Sequence, residues 1–133
     1  MTMMNRRDRI GAAQRMAERQ ERERAAPRLK EEIPTLVTLR LEIAERRPDG
    51  TDSMIHTRHI VVERAPALFQ VPCGEKDCAD GGHDLTREIM YGLRRKSTEF
   101  TGKDVCYGRR HANDCKREMT FTAIATYTEP VED

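Results

Sequence analysis

No segment of the chain approaches the roughly 18 consecutive apolar residues needed to cross a bilayer, and residues 1–33 contain no apolar run of signal-peptide length. The sequence therefore reads as an intracellular, cytoplasmic protein without membrane contact. Apolar residues make up 37% of the chain and aromatic ones only 5%, which is little for a chain packed along its whole length. Part of it is expected to lie outside the core. Also absent are a P-loop, a dinucleotide-binding glycine pattern and a nucleophile elbow. The nucleotide-deaminase signature fails too. The cysteine after Pro72 is followed by four residues before Cys78 rather than two, and neither His56 nor His59 opens an upstream His-x-Glu. With these motifs missing, and no repeats or low-complexity tracts, the expectation is a protein that is not an enzyme.

What is present is charge and paired cysteine. With 133 residues the chain suits one domain plus an extension. Its 24 basic and 23 acidic residues nearly cancel, but not locally: residues 94–117 hold eight basic and three acidic side chains. That block, with Arg94, Arg95, Lys96, Lys103, Arg109, Arg110, Lys116 and Arg117, is the expected contact for an anionic partner, whether nucleic acid or an acidic protein.

Residues 5–26 are rich in helix formers, and Pro27 disfavours helix in the residue before it. Ile10, Ala13, Met16 and Ala17 form a narrow apolar stripe that fades after two turns, so residues 1–33 read as a charged helical arm and connector that buries little. Residues 34–128 read as the domain proper, and 129–133 as an acidic tail. Val37, Leu39, Leu41 and Ile43 alternate with polar residues, the period of a half-buried strand. Pro48-Asp49-Gly50 presets a turn into a returning strand over Ser53–Ala65, whose inward register is ambiguous because Ile60 and Val61 fall on opposite faces. Leu85, Ile89 and Leu93 mark a core helix, with Asp84 placed to accept a first-turn amide. Strands are expected either side of the last two cysteines, the second with Met119, Phe121, Ala123, Ala125 and Tyr127 on one face. The order implies an α+β fold: a small antiparallel sheet of about four strands with one packed helix, and the N-terminal helical arm.

The cysteines carry the chemistry. Cys73 and Cys78 bracket four residues, Cys106 and Cys115 bracket eight, and each span contains glycine. In a reducing compartment two such pairs point to metal before disulfides. Two turns that each offer two thiolates can close a tetrahedron around zinc, so Cys73, Cys78, Cys106 and Cys115 are the expected ligands of a zinc site joining the two cysteine loops. The paired loops resemble zinc-ribbon and zinc-knuckle sites in general form. His83 and His111 are substitute ligands by position. His56 and His59, in a strand, read as ordinary side chains. Four thiolates leave no open position for water, which argues for structural zinc. The function implied is a zinc-binding, non-catalytic protein-interaction or adaptor module in a larger assembly, its N-terminal helix docking on a partner. The alternative is a nucleic-acid or ribonucleoprotein contact through residues 94–117, where Tyr107 offers a face for base stacking; a zinc-dependent hydrolase is the remote third reading.

Overall fold

The computed structural model describes residues 6–75, 78–79, 81–110 and 113–128; the acidic tail 129–133 lies outside the described residues. In chain order the elements are α1 (Arg6–Ala25), α2 (Leu29–Glu32), β1 (Leu36–Arg46), β2 (Met54–Ile60), β3 (Gln70–Val71), β4 (Cys78–Ala79), β5 (His83–Asp84), α3 (Thr86–Arg94), β6 (Glu99–Val105), β7 (Arg109–Arg110), β8 (Asn113–Asp114) and β9 (Glu118–Tyr127). The expected α+β fold is present. β2, β1, β9 and β6 form, in that spatial order, one antiparallel sheet.

Alternation decides which face of this sheet is buried. Leu39, Leu41 and Ile43 of β1 and Met119, Phe121, Ala123 and Ala125 of β9 point inward, where they join Leu85, Ile89, Met90 and Leu93 from α3 and its approach. Each large aliphatic side chain withdrawn there contributes roughly 1.5–3 kcal/mol relative to exposure. Phe100 and Phe121 meet edge to face, ring centroids 6.4 Å apart. The first inward residue of β1 differs from expectation. The β1–β9 register shifts between Leu36 and Thr38, so Val37 is the extra residue of a bulge and is 43% exposed, while Leu36 takes the core position.

The ambiguity at Ile60 and Val61 is resolved by the end of the strand. β2 stops at Ile60, and after the chain leaves the sheet Val62 is buried and Val61 exposed. In the β1–β2 turn, Asp49 accepts the Thr51 amide at 2.9 Å and its hydroxyl at 2.6 Å, and Gly50 adopts φ +85°. Asp84 accepts the Thr86 amide at 3.1 Å, as its position ahead of α3 predicts.

The connector is more structural than its composition implies. Leu29 and Ile33 are buried in the core, and the segment is clipped to the body by Leu29 N–H to Ala65 O (2.9 Å) and Ala67 N–H to Pro27 O (2.7 Å). Among the described side chains of α1, Arg19 is half-buried and the others are exposed, Met16 at 59%. No described helix is long and apolar enough to cross a membrane.

Candidate metal centre

β6 and β9 run as neighbours, so Cys106, just after β6, and Cys115, just before β9, are brought together at the end of the sheet. The ladder continues past the strands: Cys106 donates to Arg117 O at 3.0 Å and Lys116 to Cys106 O at 3.1 Å. Beyond them β7 and β8 fold back as a small hairpin, with Cys115 N–H on Gly108 O at 2.8 Å. The first cysteine loop is closed by β3 pairing with β5, Val71 opposite His83, and joined to the second by β4 pairing with β7, Cys78 opposite Arg110. Sequence spacing alone does not produce this convergence; the pairing of β4 with β7 does.

The result is a cluster in which the Sγ atoms of Cys73, Cys78, Cys106 and Cys115 all lie within 4.8 Å of one another. Cys73–Cys115 and Cys78–Cys106 are each separated by 3.6 Å. A disulfide needs about 2.0 Å, and all four are free thiols. A tetrahedron built on a zinc–sulfur bond of about 2.3 Å has an edge of about 3.8 Å, so the donor set fits one tetrahedral metal ion.

Two glycines make this density of sulfur sterically achievable. A Cβ on Gly81 would run into the sulfurs of both Cys78 and Cys106, and one on Gly108 would strike Gly81 Cα and the Cys78 sulfur. Only a bare backbone fits between the two loops.

Electrostatically the thiols are unequal. Burial pushes the Cys73 thiol far up and that of Cys78 up to about 12, with the neighbouring thiols adding to the rise. Burial also opposes ionisation of Cys106, but the Gly108 and Gly82 amides and the adjacent thiols hold it below the ordinary thiol value. The Gly108 N–H lies 3.4 Å from Cys106 Sγ. Ligation by a divalent cation supplies the charge that lets all four ionise together.

His83 is not in the sulfur cluster. It is buried, with Nδ1 2.7 Å from Asp104 Oδ2 and Nε2 3.9 Å from Glu45 Oε1, so both nitrogens face carboxylates. Its reading as a substitute ligand gives way to one as part of a buried polar network. His111 lies outside the described residues.

That network also corrects the basic edge. Arg117, read with the exposed cations, is 1% exposed; it faces Glu45 at 3.7 Å, Asp52 at 3.1 Å and Glu75 at 3.6 Å, and donates to Asp52 O at 2.9 Å. As an inward position of the chain entering β9 it cannot meet a partner. Arg47 adds a two-pronged contact to Glu75, both at 2.9 Å, and Gly74 N–H reaches Glu45 at 3.1 Å. The remaining cations are divided between three places, one of them the exposed Lys103 in β6. Arg94, Arg95 and Lys96 sit at the end of α3, where Arg94 lies 3.7 Å from Glu32 and Arg95 stacks 5.1 Å above the Tyr91 ring. Arg109 and Lys116, near Cys106 and Cys115, are exposed, as is Tyr107, at 87%; Arg110 pairs in the strand ladder with Cys78 and Asn113.

Glu45, Glu75, Asp104 and Arg47 were not legible as a group from sequence. One signal existed: Glu45 continues the inward series Leu39, Leu41, Ile43, and a carboxylate at such a position requires a buried cation. Comparison with protein-family models, curated proteins and solved structures finds no match for this chain.

Proposed function

We propose that this is a structural-zinc protein acting as a non-catalytic protein-interaction or adaptor module within a larger assembly, with zinc held by Cys73, Cys78, Cys106 and Cys115. The observation that carries it is the closed donor set: four sulfurs within 4.8 Å of one another, which satisfy a tetrahedral ion and leave no coordination position for a water or substrate. Among the described residues, Glu45 and Glu75 face Arg117, Glu75 also pairs with Arg47, and Asp104 pairs with His83, so these carboxylates are engaged in a structural network. In this reading zinc locks the cysteine loops to the sheet end, and the rigid sheet and the exposed arm α1 present the binding surfaces. The test is elemental analysis of the purified full chain together with affinity copurification. About one zinc per chain and a stoichiometric protein partner support it; hydrolytic turnover that depends on the metal overturns it.

A second reading is favoured by one observation: Tyr107, Arg109 and Lys116, close in the chain to Cys106 and Cys115, are all exposed. A ring for stacking beside two cations suits single-stranded nucleic acid. Nuclease treatment before copurification separates the two, because only a nucleic-acid-mediated association is lost.

A further inference from the structure

β6 is an edge strand with a helix beside it. Thr98 O accepts from Ala125 N–H at 2.9 Å and Cys106 N–H donates to Arg117 O at 3.0 Å, and these two pairs share the register of Glu99 opposite Ile124 through Val105 opposite Glu118. In an antiparallel ladder hydrogen-bonding pairs alternate. The even-numbered residues of β6 therefore bond to β9, and Glu99, Thr101, Lys103 and Val105 turn their N–H and C=O groups to the open side. β6 has no partner strand there among the described residues.

Alongside this edge, on the face where α3 packs, runs a groove of about 510 Å³ between α3 and β6. Tyr91, 62% exposed, and the half-buried Phe100 give it aromatic surface. Arg87 and Arg95 line it against a single acid, Glu88. Arg95 is held over the Tyr91 ring at 5.1 Å, which orders a guanidinium that can form paired hydrogen bonds with a carboxylate.

An unpaired strand edge next to a helix-walled groove is suited to one mode of recognition, the addition of an extended segment as a further strand. The backbone of such a segment meets Thr101 and Lys103, while its alternate side chains enter the groove, where cations outnumber acids. Resting on the interaction-module reading above, we infer that the groove between β6 and α3 binds an extended acidic peptide with alternating apolar residues, which joins the sheet beside β6. The apolar side chains lie against Tyr91 and Phe100, and the carboxylates meet Arg87 and Arg95.

The experiment is selection from a displayed library of random octapeptides on the zinc-loaded full chain, followed by fluorescence anisotropy on synthetic copies of the winners. Enriched sequences should alternate Asp or Glu with apolar residues. In Thr101→Pro the outward N–H is lost while the bonds to β9 remain, since proline is tolerated on an edge facing away from the ladder. Affinity should fall at least about tenfold there, and similarly in Arg87→Glu/Arg95→Glu. Hydrogen exchange at the Thr101 and Lys103 amides of the unaltered protein should slow when peptide is bound, which keeps the test independent of whether the variants fold. No enriched peptide, enrichment without acids, or binding with no protection at Thr101 and Lys103 overturns the inference. A protein partner that copurifies equally with zinc-loaded Thr101→Pro would leave the interaction module standing and remove this groove from it.

Discussion

Arg117 Nε lies 3.7 Å from Glu45 Oε1, with the two side chains 1% and 2% exposed. The pair joins the entry of β9 to the end of β1 directly beneath the cysteine loops. Removing one member of such a pair strands a buried charge, at a cost of about 3–5 kcal/mol. Arg117→Met should therefore lower the unfolding free energy by that order, and Glu45→Gln combined with Arg117→Met should recover part of it. Chemical denaturation of the single and double variants measures the coupling; additive losses would show that the pair does not act as a unit.

Gly81→Ala should abolish metal retention with all four cysteines intact, because the added methyl falls on the Cys78 and Cys106 sulfurs. Metal content by elemental analysis reads this directly. A fully loaded Gly81→Ala protein would mean that the two loops approach less closely than described.

Cys73→Ser or Cys115→Ser should lose the metal and most of the folding free energy it supplies, on the order of 10 kcal/mol for sites of this type. His83→Ala should keep its metal, since the His83 nitrogens face Asp104 and Glu45. Circular dichroism and metal analysis on the same samples distinguish the two behaviours.

Metal loading should release protons at neutral pH, at least about two per ion, because Cys73 and Cys78 are held protonated by burial and must ionise to ligate. Calorimetric titration in buffers of different ionisation enthalpy counts them. For the metal-free protein the sign follows from folded-state thiol values raised above the ordinary 9.0. The folded state then holds more protons than the unfolded one, so this contribution is fully present below about pH 9 and is lost as pH rises toward 12. Thermal transitions of the metal-free chain should drop across that window, and those of the zinc-loaded chain should drop less.

Deleting residues 1–25 should leave fold and metal unchanged, because the described side chains of α1 are exposed except for the half-buried Arg19. Starting at Ala26 preserves the Pro27 carbonyl that receives the Ala67 amide. Deletion through Ile33 should destabilise the domain by several kcal/mol, since it removes Leu29 and Ile33 from the core. Thermal melts of the two truncations make the comparison.

Local chemistry was enough to read much of this molecule from its residues. Period-two alternation marks β1 and β9, Pro48-Asp49-Gly50 marks the turn from β1 into β2, and Leu85, Ile89 and Leu93 mark α3, because strand, turn and helix each impose a spacing on neighbours in the chain. The cysteine pairs are legible for the same reason: each pair brackets one turn. Facts that depend on which distant segments meet were not legible. A bulge opposite Tyr127 exposes Val37 and buries Leu36. Pairing of β4 with β7 joins the two cysteine loops, and the space between them excludes a side chain at Gly81. Arg117 belongs by composition to a basic surface, yet Glu45, Asp52 and Glu75 converge on it from three separate segments. A charge in sequence carries no record of its eventual neighbours, and the desolvation it undergoes is set by long-range packing, which exists only once the sheet has formed.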